Sequence, residues 1–393
     1  MIAAAVLIAL ATGCGAQQAA DAPASSRSSS TPKAATARRM PALARDLEAL
    51  TRTVVLHLAR RDAPGDAQYF RAGLWHSADE SCWACNVAPA TAAAVLANRG
   101  LWRRGWLRRL AMQTFDRMIA RQSRDGSYPA TRVPADSAKG DGIVTMFASV
   151  ELGSAYHELE PWLGERRRAR WGRALAAATT YVQHGGNLGF YVNGNINLGY
   201  AELAQLTYLA TGDQRYRTLT DQALDFALRP PAPRWVGHGL VVTRAPTRPD
   251  DADGRGYLVE SGAGGSGYDP EYTQLQADVV SRMYVLGPTP RLERLLNLLT
   301  NQLRTDVDSR YLLVTDNGTR HPQVGRRVPF VSPALVVLGA RAGRSGLAAR
   351  ATMQLAQVQR TFRGAYRYSN PPVYRSVGNQ LAVMLQALLA PRR

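Results

Sequence analysis

The chain has 393 residues, of which 46% are hydrophobic and 20% charged, and its formal net charge is +18. It can therefore bury a sizeable core, and its charged fraction is ordinary for a soluble protein. No helix-turn-helix, zinc-finger or RNA-recognition signature is present, so the charge does not indicate nucleic-acid binding. The first forty residues or so do not look folded. The remaining residues, roughly 350, are long enough for two domains or for one closed barrel.

Nearly all of the positive charge is arginine, since Lys33 and Lys139 are the only lysines. One interpretation is a bias of genome composition. The other is attraction to an acidic polymer, because a basic field raises the local concentration of anions. The densest basic runs lie on segments predicted to be outer helices, and the ordinary explanation for them is a helix face exposed to solvent. These runs comprise Arg103, Arg104, Arg108, Arg109 and residues 166–170.

The N-terminus predicts export. A short apolar run over 2–10 ends in Leu-Ala-Thr-Gly-Cys, which resembles a bacterial lipobox whose Cys14 takes a lipid, although a positive n-region is missing. The Ala/Ser/Pro/Thr-rich stretch that follows reads as a flexible tether. We therefore expect a signal peptide over 1–14, a tether over 15–41 and a single domain over 42–393. The protein would be a lipoprotein of the cell envelope or extracellular, and processing insensitive to globomycin would contradict this.

Cys82 and Cys85 form a CxxC motif at a predicted helix start. In an exported protein the favoured state is a small disulfide that stiffens a loop. A thiol–disulfide motif would need a βαβ context, and a zinc site would need two more soft ligands, of which only His76 is close in sequence. The redox motif and the zinc site stay open as alternatives, but the disulfide is favoured and we therefore expect no metal site.

Twelve segments with helical apolar spacing follow residue 42. In the first, over 42–61, apolar residues recur at three- and four-residue steps, at Leu43, Leu47, Leu50, Val54 and Leu58. The same spacing predicts helices over 86–99, 104–122, 142–159, 164–183, 195–210, 213–228, 269–286, 289–305, 332–342, 346–362 and 377–389. Two helix starts carry a capping residue before proline, Asp269-Pro270 and Ser332-Pro333. Strand-like runs are few, over 239–243, 311–314 and 365–368.

The links between these helices alternate between short turns and long loops. Short turns such as Thr211-Gly212 and Gly287-Pro288 make antiparallel helical hairpins. The long loops are rich in Gly, Pro and Asn and span 62–85, 123–141, 184–194, 229–268, 306–331 and 363–376. About twelve helices in six such steps fit an all-α (α/α)6 toroid better than an open solenoid. The absence of a recurring motif disfavours a tetratricopeptide-like array.

Two turns carry a resemblance to a known superfamily. Residues 122–129, Gln-Ser-Arg-Asp-Gly-Ser-Tyr-Pro, resemble the Q-x-x-D-G-S-aromatic turn between hairpins of α/α toroids. Residues 209–216, Leu-Ala-Thr-Gly-Asp-Gln-Arg-Tyr, resemble the inner-to-outer turn of the six-hairpin glycosidase-like superfamily. That superfamily holds glycoside hydrolases, polysaccharide lyases and uronate epimerases, so the resemblance implies a carbohydrate-active enzyme. No catalytic motif matches, and the acidic or zinc-ligand sets of terpene cyclases and prenyltransferases are not evident.

In such a ring the long loops gather at one end, where the inner-helix N-termini surround a mouth. Free N–H groups and helix dipoles there favour anions, so a uronic acid or sulfated sugar would suit it. Candidate catalytic residues at this mouth are His76, Glu80, Tyr268, Asp269, Glu271 and Tyr272. Candidate substrate-binding residues, which offer rings for stacking and amides for hydroxyls, are Trp75, Trp83, Tyr191, Asn193, Asn195 and Asn197. The last loop and the helix start after it add Tyr366, Tyr368, Tyr374, Asn379 and Gln380.

Each candidate also has a structural explanation. Asp269 could serve only as a helix N-cap, Glu271 could merely complement the helix dipole, and the asparagines could cap a turn. His76 is more often a hydrogen-bonded loop histidine than a base. Against these explanations, Glu271, Gln274 and Asp278 recur at helical spacing and could line a polar stripe that faces a wet lumen.

Two mechanisms remain open. A hydrolase would use two carboxylates, one as acid and one as base or nucleophile; these would be Asp269 or Glu271 with Glu80. A lyase would neutralise a uronate carboxylate, abstract the adjacent proton and protonate the leaving oxygen. Its neutralising groups would be Asn193, Asn195 and an arginine, and its acid and base would come from His76, Tyr268 and Tyr272. The basic chain and the Asn/Tyr-rich mouth slightly favour the lyase.

The non-catalytic alternative is a surface lipoprotein that binds or scaffolds cell-envelope glycan with the same aromatics and amides. No cofactor is expected. Asp250, Asp251 and Asp253 lie in a Pro/Gly loop and could bind calcium, but the EF-hand spacing is absent. The glycines at 264, 265 and 267 lack the strand–loop–helix frame of a phosphate loop. The expected partners are a polysaccharide or oligosaccharide, and a membrane through the N-terminal lipid.

Overall fold

The structure is a computed structural model that describes most of the folded region. The described residues are 43–52, 83–100, 103–128, 142–184, 193–231, 239–248, 252–262, 264–320, 332–341 and 371–389, together with 55, 325, 327–328, 347 and 350. The predicted signal peptide, the lipid site at Cys14 and the tether lie outside these ranges and stay predictions. No helix within the described ranges is long and apolar enough to cross a membrane.

The described part of the chain is mainly helical, as the apolar spacing predicted. The helices, in chain order, are α1 (43–52), α2 (Trp83–Arg99), α3 (Arg104–Ile119), α4 (Gly142–Leu159), α5 (Gly164–His184), α6 (Gly194–Thr211), α7 (Gln214–Ala227), α8 (Pro270–Leu286), α9 (Pro290–Leu303), α10 (Pro333–Arg341) and α11 (Pro371–Leu388). Two starts were predicted too late. The helix predicted from 86 begins at Trp83, and the helix predicted from 377 begins at Pro371, because proline is tolerated in a first helical turn.

The helices close into an (α/α)6 toroid. The helices α2, α4, α6, α8, α10 and α11 contact one another in that order, and α11 also contacts α2, which completes an inner ring. Hairpin partners pack together as α2 with α3, α4 with α5, α6 with α7 and α8 with α9. The helix after each long loop is therefore the inner one, as the alternation of links predicted.

Burial differs between the two layers. Helix α4 of the inner ring is buried on nearly all sides, because it contacts two inner neighbours and the outer layer. Outer helices show one apolar stripe instead, such as Trp171, Leu175, Ala178 and Val182 on α5, at the three- and four-residue spacing of a helix that covers a core on one face.

Three two-stranded antiparallel ladders decorate the loops. Strand β1 (Leu240–Arg244) pairs with β2 (Arg255–Leu258), β3 (Glu260–Gly262) with β4 (Gly265–Gly267), and β5 (Leu313–Val314) with β6 (Arg327–Val328). The first and fifth strands match the predicted runs over 239–243 and 311–314, whereas the run over 365–368 lies outside the described residues. The long loop over 229–268 is thus partly two hairpins, and it brings Glu260 to the ring.

A buried polar cluster joins the ends of the ring near the short turns. The carboxylate of Glu158 on α4 accepts hydrogen bonds from Arg99 Nη2 (2.9 Å), from Asn98 Nδ2 (2.6 Å) and from Gln386 Nε2 (2.9 Å). Arg99 Nη1 also donates to the carbonyl of Leu389 at 2.6 Å. Since these residues lie on α2, α4 and the α11 region, one carboxylate ties the first inner helices to the last.

Close helix packing gives a first prediction, with a matched pair of glycines. A Cβ at Gly153 on α4 would lie 2.7 Å from Leu206 Cβ on α6, whereas a Cβ at Gly172 on α5 would meet nothing nearer than 3.7 Å. We expect Gly153→Ala to lower the free energy of unfolding by about 1–3 kcal/mol through overpacking. Gly172→Ala should raise it by roughly 0.5–1 kcal/mol through helix propensity. Urea denaturation measures both, and equal signs would contradict this packing.

Candidate functional site

The N-termini of α6 and α8 meet the β2–β3 segment at the loop end of the ring. The amide of Gly194 donates to the carbonyl of Val259 at 3.0 Å. The side chain of Gln276 on α8 makes two hydrogen bonds to the backbone of Leu258. It accepts one from the Leu258 amide at 3.1 Å and donates one to the Leu258 carbonyl at 2.9 Å. A Cβ at Gly194 would come within 2.3 Å of Leu258 Cβ, so only glycine allows this approach. These contacts fix the position of Glu260, two residues later.

Glu260 is a buried carboxyl group, with 0% of its surface exposed. Its Oε1 accepts from the backbone amide of Asn195 and from Gln276 Nε2, each at 2.9 Å. Its Oε2 is buried and accepts no hydrogen bond within the described part of the chain. Burial raises the pKa of Glu260 to about 8, with the charge of Asp269 adding to it and the hydrogen bonds and Arg320 opposing it. Glu260 therefore holds a proton at neutral pH.

Asp269 performs the capping role that the sequence left as an alternative. Its Oδ1 accepts from the amide of Tyr272 at 2.9 Å, which caps α8, and its Oδ2 accepts from the amide of Arg320 at 2.7 Å. Both carboxylate oxygens of Asp269 thus accept hydrogen bonds from backbone amides. One bond fixes the start of α8, and the other fixes the loop that carries Arg320.

Arg320 is brought over the first turn of α8. Its Nη1 donates to the carbonyl of Ser261 at 2.6 Å, its Nη2 donates to the Tyr272 hydroxyl at 3.2 Å, and its guanidinium lies 4.6 Å from the centre of that ring. Burial raises the pKa of Tyr272, the charges of Glu260 and Glu271 raise it further, and Arg320 opposes them. Two carboxyl groups, a phenol and a guanidinium therefore act on one another at this mouth.

Tyr268 lies beside this cluster, and its hydroxyl group already has a hydrogen-bond partner. Its hydroxyl donates to Asp306 Oδ2 at 2.5 Å, and burial, with the charge of Asp306, raises its pKa. The ring of Tyr257 lies 5.0 Å from that of Tyr268, tilted by 53°. Since Tyr268 directly precedes the N-cap Asp269, this aromatic pair lies beside the start of α8.

The three asparagines lie at the start of α6 and are all buried. Asn193 occupies the N-cap position, but its side chain makes no capping hydrogen bond, and its Nδ2 lies 3.5 Å from the carbonyl of Ser261. Asn195 presents its amide to Glu260, while its own buried Oδ1 has no hydrogen-bond partner among the described residues. Asn195 and Asn197 therefore lie within the first turn of α6, and Asn195 contacts the proton-bearing carboxyl of Glu260.

Halfway along the inner helices lies a second set of polar side chains, which we call the polar layer: Thr91, Glu151, Glu202, Asp278 and Arg282, which are buried, and Gln380, which is partly buried. Arg282 Nη2 donates to Glu202 Oε2 at 2.7 Å, and Gln380 Nε2 donates to Asp278 Oδ2 at 2.6 Å. Burial raises the pKa of Asp278 to about 7 against the hydrogen bond of Gln380 and the charge of Arg282. The predicted stripe of Gln274 and Asp278 thus faces the interior.

Several predicted site residues lie outside the described residues: Trp75, His76, Glu80, Tyr191, Cys82, Tyr366 and Tyr368. Three others were placed in loops but lie in helices: Trp83 and Cys85 begin α2, and Tyr374 belongs to α11. Asn379 and Gln380 also lie in α11, within the helix predicted over 377–389. Of the calcium candidates, Asp253 accepts from the backbone amides of Thr247 and Arg248, each at 3.0 Å, and the other two aspartates lie outside the described ranges.

Sequence reasoning missed Glu260 and Arg320, which the structure places beside Tyr272 and Asp269. Both lie in long loops without helical spacing. The only signal for Glu260 is a carboxylate directly after the apolar run Leu258-Val259. Its environment depends on Gln276, on a separate element, and no local pattern reveals that contact.

Comparisons with known proteins show a similarity of structure but none of sequence family. No protein family and no curated protein sequence matches the chain. Among solved structures, the chain is similar to endoglucanase CelQ from Clostridium thermocellum, solved in complex with cellotetraose, with a TM-score of 0.34 and 11% sequence identity. The match covers 70% of this chain and 47% of the endoglucanase, so the chain spans less than half the length of that enzyme.

Proposed function

We propose that this chain is a carbohydrate-active enzyme that hydrolyses a glycan at the mouth of the toroid, with Glu260 as the proton donor. The observation that carries the proposal is the buried Glu260 carboxyl group, which keeps its proton at neutral pH beside ionisable partners. Glycosidases need one protonated and one ionised carboxyl group across the scissile bond, and a difference in environment separates the two roles.

Glu271 is the better partner for Glu260 than Asp269. Both oxygens of Asp269 already accept backbone amides at 2.9 and 2.7 Å, so this side chain is held as a cap. Glu271 lies one residue into α8, and its charge acts on the Tyr272 hydroxyl beside Glu260. We assign Glu271 the role of base or nucleophile, and Glu80 stays the alternative from the sequence.

Hydrolysis is favoured over elimination by the state of the two tyrosines. A lyase needs a base that takes the proton next to the uronate carboxylate. The pKa values of Tyr268 and Tyr272 are both raised by burial, so both phenols keep their protons. Tyr272 can donate its hydroxyl proton to a sugar, whereas that of Tyr268 already goes to Asp306, and both phenols are poor bases.

An acidic glycan is the favoured substrate class. The guanidinium of Arg320 lies at the mouth, and the amides of the first turns of α6 and α8 carry the positive ends of two helix dipoles. The net charge of +18 would draw a polyanion toward the protein. The Tyr257–Tyr268 pair offers a face on which a sugar ring can stack.

A panel of acidic and neutral polysaccharides, including cell-envelope glycans, tests this function. We expect new reducing ends on an acidic glycan without new ultraviolet absorbance. Absorbance from a conjugated uronate would show elimination and would overturn the hydrolytic assignment. Retained glycan binding without either product would instead show the non-catalytic, scaffolding role.

A further inference from the structure

The outer helices α3 and α5 carry most of the charge asymmetry of the described part of the chain. Together they hold nine arginines and two acidic residues, a net charge of +7. The outer helix α7 has two arginines and two aspartates, and α9 has two arginines and one glutamate. Because all four helices occupy the same layer, a general arginine bias alone does not account for this concentration on two of them.

The two basic helices lie side by side and form one surface. Trp171 Nε1 on α5 donates to Asp116 Oδ1 on α3 at 2.8 Å, and the rings of Phe115 and Trp171 pack edge to face at 5.6 Å. Gln122, just after α3, donates to the carbonyl of Ala174 at 2.9 Å. These contacts hold the two helices in one wall of the toroid.

We call the exposed arginines of α3 and α5 the basic face: Arg109, Arg117, Arg166, Arg168, Arg170 and Arg173. Asp116 neutralises part of it, since it pairs with Arg167 and Arg170. At its edge, the guanidinium of Arg108 lies 4.6 Å from the ring centre of the partly exposed Trp162. Tryptophan beside basic side chains is typical of surfaces that rest at the membrane–water interface.

We propose that the basic face docks the protein on a bilayer of anionic phospholipids. Its charges lie on two neighbouring helices, over about 12 Å of α3 and about 10 Å of α5 at ~1.5 Å per residue, rather than along one groove. A two-dimensional array of headgroups can engage such a wall, whereas a single polyanionic chain would follow one row. Each arginine near an anionic membrane contributes about 1 kcal/mol.

Docking through this wall leaves the proposed site open. The outer helices pack alongside the inner ring, whereas Glu260 and the N-termini of α6 and α8 lie at its loop end. The wall and the mouth are therefore different surfaces, and the docking proposal does not depend on the proposed hydrolysis.

The test is co-sedimentation of the full chain with vesicles of phosphatidylcholine, with and without phosphatidylglycerol. The protein used in this experiment has the substitution Cys14→Ser, which removes the predicted lipid acceptor. We expect binding only to vesicles with phosphatidylglycerol, weakened by salt. The triple variant R109Q/R166Q/R173Q should bind on the order of 100-fold more weakly, because three arginines at about 1 kcal/mol each contribute about 3 kcal/mol.

The matched control is R215Q/R217Q/R294Q, which removes three exposed arginines from α7 and α9 and gives the same net charge. It should bind nearly as well as the unsubstituted chain. Equal weakening by both triple variants would mean that net charge alone acts, and equal binding to both vesicle types would exclude charge recognition. Binding to polygalacturonate but not to vesicles, lost in the first triple variant alone, would assign the face to a glycan. Circular dichroism and thermal unfolding check that each variant folds.

Discussion

Replacing Glu260 by glutamine is expected to reduce glycan cleavage by roughly 10²- to 10⁴-fold, the usual contribution of a general acid. Glutamine keeps an oxygen for the amide of Asn195 and for Gln276 Nε2, so the position of the residue should not change. It cannot give a proton to the leaving oxygen. Initial rates on the glycan that the panel identifies measure the loss, and Glu165→Gln on the exposed start of α5 is the control.

The same substitution should stabilise the fold at neutral pH. The pKa of Glu260 is raised from 4.5 to about 8 in the folded chain, so the folded state retains a proton that the unfolded state releases. The free energy of unfolding of the unsubstituted protein therefore falls as pH rises from about 4.5 through about 8. In Glu260→Gln this fall is absent, and at pH 7 the variant should be more stable by on the order of 3 kcal/mol. Active protein with unchanged stability after this substitution would remove Glu260 from the proposed mechanism.

Replacing Glu158 by leucine is expected to cause the largest loss of stability, about 3–5 kcal/mol, because it leaves the buried Arg99 without its carboxylate. Asn98 and Gln386 lose the same acceptor. Since these groups join α2 and α4 to α11, amide hydrogen exchange in α11 should also increase. Urea denaturation gives the free energy.

The double variant Arg99→Met with Glu158→Leu separates charge from packing. It removes both charges, so it should recover much of the stability that Glu158→Leu loses. Recovery of none of it would show that the other hydrogen bonds of Glu158, rather than its ion pair, hold the ring closed. A loss below about 1 kcal/mol in the single variant would contradict the role of this cluster altogether.

The ring of helices could be predicted from the sequence because the patterns that indicate it are local. Apolar spacing marks helices, and the length of each link decides which helices become antiparallel neighbours. The short turn at Thr211-Gly212 and the long loop over 229–268 therefore assign α6, α7 and α8 to their layers without any knowledge of tertiary contacts. The late start predicted for α11 has a local cause as well, since two prolines at 371 and 372 look like a loop.

The candidate site could be predicted only in part. The motif Asp269-Pro270 identified both a helix start and a mouth carboxylate, but it could not separate capping from catalysis. That distinction depends on Arg320, which lies in a loop 51 residues further along the chain. Its backbone amide donates a hydrogen bond to the second carboxylate oxygen of Asp269. Glu260 acquires its raised pKa from burial, against the hydrogen bonds of Asn195 and Gln276, and this environment exists only once the ring has closed.

The pH dependence of kcat/KM for glycan hydrolysis tests the central claim most directly, because this ratio reports the ionisation of the free enzyme. If Glu260 is the proton donor, kcat/KM should fall as pH rises through about 8, the pKa of Glu260 in the folded chain. The residual activity of Glu260→Gln should lack this alkaline fall. A wild-type profile that stays flat through this range, or the same alkaline fall in Glu260→Gln, would contradict the account.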